Sequence, residues 1–138
     1  MKSLWTLILL ALLASCNDEL KEQQVAFDNL KQQSMEAHDV IMPKMGDLMD
    51  LSNQLSKKMD STNTDLVMAK KGELQKAHDD MMTWMRDYSE KFPYDYKLPK
   101  DVNAVNKQLD VLKEEHEEIE ELKVRTLRVI DEAQAMLK

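Results

Sequence analysis

Glycine occurs only twice and proline only three times in the 138 residues, and aromatic side chains make up 5% of them. Sheet proteins need Gly-rich turns and draw heavily on aromatic residues, so this scarcity counts against strands and leaves long helices. Basic residues are also outnumbered, with 19 Lys and Arg against 26 Asp and Glu and a net charge of −7. That sign argues against a nucleic-acid ligand and against adhesion to anionic lipid through a basic patch. It suits a dispersed soluble body or a basic protein partner. There is a single cysteine, so no intrachain disulfide can form. No apolar run is long enough to span a bilayer as a stable helix. The longest, Leu4 to Leu13, is interrupted by Thr6 and is too short.

That run and that cysteine explain each other. Lys2 supplies a positive start, the apolar run follows, and Leu13-Ala14-Ser15-Cys16 comes next. The tetrapeptide resembles the bacterial lipobox, in which a leucine and two small residues precede the cysteine that is cut and lipidated. The resemblance implies removal of residues 1–15 as a signal peptide and three acyl chains on Cys16. One chain binds a membrane marginally and two anchor it, so three hold it essentially irreversibly. Without Lys2 the charge of −7 becomes −8. Asn17, Asp18 and Glu19 resemble the acidic export signal of Bacteroidota lipoproteins, which implies the outer membrane, facing the periplasm or the cell surface. The expected organisation is a lipidated tether over 16–20 and a helical domain over 21–138.

In that domain the sequence predicts an all-α fold, an up-down-up antiparallel bundle of three long helices. The first runs from about Asp18 to Asp60, kinked or broken at Pro43, which lacks an N–H and clashes with the carbonyl of Asp39. Gly46 adds to the expected distortion. Ser61 to Asn63 form a polar turn, with Thr64 available to cap a second helix over Asp65 to Phe92. Pro93 to Pro99 is a loop, and Asp101 caps a third helix that runs to the end. On that helix Val102, Val105, Leu109, Leu112, His116 and Ile119 form a seam, and the charge-dense stretch Glu114–Glu121 reads as a solvated face.

One repeat stands out. Ala37 to Asp47 and Ala77 to Asp87 agree at six of eleven positions, sharing A-H-D-x-x-M-x-x-M-x-D. On a helix His38, Met42 and Met45 share one face, as do His78, Met82 and Met85. Hairpin pairing about the turn sets His38 near Met85 and His78 near Met45, and brings His116 close to the level of His78. Imidazole with thioether suits Cu(I), and a His/Met pair also ligates haem iron, so a copper or haem carrier is one reading. The simpler reading has no cofactor, since methionine is an adaptable core filler. Exposed methionines also form adaptable surfaces for partners, or absorb oxidants as sulfoxide.

The motifs H-D-x-x-M-P-K-M at His38 to Met45 and M-M-x-W-M at Met81 to Met85 resemble a family of small Bacteroidota lipoproteins labelled "viral A-type inclusion protein". The likeness covers the leader and roughly residues 30–90. It implies a helical envelope lipoprotein, and no viral function is carried over from the label. Trp84, Tyr88, Phe92, Tyr94 and Tyr96 crowd one end, either as a plug on the bundle or as a recognition patch. No phosphate loop, His-Glu-x-x-His or nucleophile motif occurs, so a non-catalytic role is expected, structural or partner-binding, with self-association allowed.

Overall fold

Apolar residues recur every three or four positions through most of the chain, and these stretches are helical. The computed structural model describes the backbone of residues 2–138 and the side chains of residues 18–138. The side chains of the expected signal peptide and of Cys16, the expected lipidation site, lie outside the described residues. The elements are α1 (Lys2–Ile41), a tight 3₁₀ turn (Met42–Lys44), α2 (Met45–Lys57), α3 (Thr64–Lys91) and α4 (Val102–Met136). The fold is an all-helical bundle, with no strand among the described residues. None of its helices is long and apolar enough to cross a membrane among those residues. The segment expected to be a tether, 16–20, is itself part of α1.

Pro43 is the middle residue of the 3₁₀ turn. Its missing N–H forbids a regular α-helical bond there. Gly46 takes no positive φ, and open space lies where its side chain would go, so it imposes nothing on the chain. The buried stripe continues across the interruption, from Phe27, Ala37 and Ile41 on α1 to Met45, Leu48, Leu51 and Leu55 on α2.

The turn after α2 is built by side chains. Asp60 accepts from the Thr62 amide at 2.8 Å and the Thr62 hydroxyl at 2.6 Å, which holds its carboxyl below the ordinary value. Asn63 accepts from the Asp60 amide at 2.8 Å and donates to the Lys58 carbonyl at 3.0 Å. Thr64 does not cap α3. Asn63 holds the cap position without a side-chain bond, while the Thr64 hydroxyl donates back to the Asp60 carbonyl at 2.6 Å. Asp101 does cap α4, accepting from the Ala104 amide at 2.9 Å.

α1 packs along α4, α2 on α3, and α3 on α4. Polar pairs mark the levels. The Lys71 ammonium donates to the Ser56 hydroxyl at 2.5 Å, Lys70 meets Glu132 at 2.6 Å, and Arg125 pairs with Asp80. The aromatic end closes as a plug. Phe27, remote in sequence from the aromatic residues over 84–96, packs edge-on to Phe92 at 5.6 Å and stacks on Tyr96 at 6.0 Å. Trp84, Tyr88 and Phe92 continue the ladder at 4.8 and 5.4 Å. Tyr94 takes no part in it and stands fully exposed.

Candidate functional site

The repeat on α1–α2 and α3 occupies similar environments at its alanine, histidine, aspartate and first methionine, and diverges at the end, where Met45 is buried in one copy and Trp84 in the other. Its alanines, Ala37 and Ala77, are buried, as are Ile41 and Met81 four residues on. Its histidines are partly buried, and each Nδ1 meets the Oδ1 of the aspartate that follows, at 2.9 Å for His38 and Asp39 and 3.2 Å for His78 and Asp79. The His78 contact holds the Asp79 carboxyl below its ordinary value. Met42 and Met82 are 37% and 39% exposed. Met45 is buried, and Met85 is partly buried against the core. The core stripe therefore runs one residue to the side of the His/Met stripe on α3 and through Ala37 and Ile41, and takes in Met45.

The two stripes sit on facing flanks. Lys71 lies seven residues before His78, two helical turns, and Ser56 eleven after Met45, three turns, so each extends its own His/Met stripe. These two side chains touch at 2.5 Å. At the other end of the groove the His38 ring lies 6.0 Å from the Trp84 ring. The opposite flanks face α4 instead. Gln33, Ala37 and Val40 line a groove with His116, and Lys76, Asp80 and Thr83 line another with Glu118 and Arg125.

His116 does not join the other two histidines. Its Nδ1 lies 3.3 Å from the Ser34 hydroxyl on α1, and the bond from Trp84 to the Glu115 carbonyl sets it near the level of Trp84, not of His78. The α3–α4 register explains the difference, because the long 92–101 loop does not pair residues symmetrically about its centre.

A second polar group was not expected at all. Glu115 is 1% exposed, in the middle of a stretch that reads as solvated. One carboxylate oxygen pairs with Lys91, and the other has no partner. The nearby Tyr88 hydroxyl is also buried and unpartnered. Burial first, and the Glu115 charge second, push Tyr88 up to about 12. The Glu115 carboxylate raises Lys91 through its hydrogen bond, while burial and then Glu115 raise Glu118. A spacing of three or four after Leu112 allows either Glu115 or His116 inside, and the seam alone does not choose.

No protein-family model, no curated protein and no solved structure gives a match to the chain. Among the described residues, no three His, Cys, Asp or Glu side chains stand close enough to hold a metal ion.

Proposed function

We propose that this chain is a non-catalytic bacterial envelope lipoprotein, anchored in the outer membrane through acyl chains on Cys16 and presenting a helical bundle to a protein partner. The observation that carries the reading is the joint between lipobox and bundle. Cys16 is eleven residues before Phe27, the first buried side chain described. Between them Asp18, Glu19, Lys21 and Glu22 are exposed on α1. At 1.5 Å per residue those eleven residues make a polar helical stalk about 16 Å long.

The bundle on that stalk runs up, down and up. The first limb, α1 with α2, bends at Pro43 and leads away from the anchor; α3 returns and α4 leads out again. Support comes from the cross-helix pairs Lys71–Ser56, Arg125–Asp80 and His116–Ser34. In this arrangement the aromatic plug faces the membrane. The turn after α2 and the C-terminus, joined by the Lys58 bond to the Leu137 carbonyl, form the far end. Exposed Met59, Leu66 and Met68 near that end offer a partner a surface that can repack.

Detergent phase separation of cells expressing the full chain tests the anchor. The wild type goes to the detergent phase, and Cys16→Ser goes to the aqueous phase with unchanged helix content. A Cys16→Ser protein that stays with the detergent contradicts the proposal.

A further inference from the structure

The geometry points to two Cu(I) sites in the groove between the first limb and α3, one made by His38, Met42 and Met85, the other by His78, Met82 and Met45. This inference is independent of the lipid anchor. It starts from the facing flanks. The Ser56–Lys71 contact fixes one end of the groove and the His38–Trp84 approach fixes the other. Between those ends, His38 comes level with Met85, and Met45 with His78. Each histidine also has a methionine four residues on, Met82 on the same face of α3 and Met42 in the turn that directly continues α1. One imidazole and two thioethers thus meet twice, about 10 Å apart along the groove, since Met45 is seven residues beyond His38.

Three features separate this from core packing. The packing role in the repeat falls mainly to Ala37, Ala77, Ile41, Met81 and Trp84, and of the six proposed ligands only Met45 is buried with them. Met42 and Met82 leave more than a third of their surface in solvent, so their side chains do little for the core. Each histidine has its Nδ1 engaged by an aspartate, the arrangement that orients an imidazole and leaves Nε2 for a metal. The donor set selects the ion. Thioethers are soft and favour Cu(I), whereas Zn(II) takes thiolate, imidazole or carboxylate and closes its shell with four ligands.

The test is an anaerobic titration of the purified full chain with Cu(I) against a colorimetric Cu(I) chelator. The wild type takes up two equivalents, each tighter than micromolar. His38→Ala retains one equivalent and His38→Ala/His78→Ala none. Asp39→Asn/Asp79→Asn weakens binding about 10–100-fold, as loss of an orienting partner does. Met42→Leu and Met82→Leu conserve volume and helix content and still lose their sites, which separates ligation from folding. X-ray absorption of the Cu(I)-loaded wild type shows both sulfur and nitrogen at the metal. Fewer than two equivalents, unchanged affinity in the double histidine variant, absence of sulfur ligation, or equal uptake of Zn(II) overturns the inference. A haemin titration with a Soret shift that the same histidine variants abolish also overturns it, in favour of haem.

Discussion

The Trp84 indole on α3 donates to the main-chain carbonyl of Glu115 on α4, 3.1 Å away in the buried centre. The same indole lies 4.8 Å from Tyr88 and 6.0 Å from His38, so it joins the repeat to the buried acid. Trp84→Phe removes that bond and leaves a small void. The expected cost is about 1–3 kcal/mol in urea unfolding, from the lost bond and the cavity together. A loss below about 0.5 kcal/mol, the range of surface substitutions, contradicts this account of the centre.

Lys91 and Glu115 make an asymmetric pair. The lysine side chain is nearly half exposed, whereas the glutamate is enclosed with one oxygen unpartnered. Removing the lysine strands a buried carboxylate; removing the acid strands nothing. Lys91→Ala is therefore expected to cost about 1–2 kcal/mol after allowance for solvent at the lysine, and Glu115→Leu to be close to neutral or stabilising. Paired denaturation curves check the order of the two variants, which is the decisive quantity.

Alkaline pH gives an independent handle on the same cluster. Tyr88 titrates near 12 in the fold against an ordinary value of about 10, with burial as the main cause. The folded state holds its proton longer, so this contribution is complete below pH 10 and is lost as the pH rises toward 12. Tyr88→Phe is expected to flatten the fall in stability across that window. At neutral pH the variant should be as stable as the wild type or more so, because it deletes an unpartnered buried hydroxyl. An unchanged slope above pH 10 contradicts the assignment.

The two loop tyrosines divide the aromatic end between them. Tyr96 stacks on Phe27 and meets Phe92 edge-on at 5.3 Å, and burial raises its pKa. Tyr94 is fully exposed. Tyr96→Ala is expected to cost about 1–3 kcal/mol in thermal unfolding, and Tyr94→Ala less than about 0.5. Equal effects would contradict the division.

Much of the fold was legible because three- and four-residue spacings govern which side chains are buried. The scarcity of glycine and proline, the cap at Asp101 and the loop around its two prolines follow directly from local chemistry. What escaped depends on choices between neighbouring residues. Glu115 and His116 both satisfy the seam, and the choice rests on Lys91 and Trp84 on another helix. Thr64 and Asn63 are both capping residues, and the hydroxyl of Thr64 is drawn away to Asp60. The His/Met stripe reads as core from its spacing, yet apart from Met45 the core runs one residue beside it, through Ala37 and Ile41 and through Ala77 and Met81. Phe27 belongs to the aromatic plug only because α1 and the 92–101 loop meet, a contact across more than sixty residues.

The central claim is the anchor, and the mass of the N-terminal peptide of the protein taken from its native membrane tests it most directly. The account predicts that the chain begins at Cys16 and carries three acyl chains. A free thiol at Cys16, or a peptide that still begins at Met1, contradicts it.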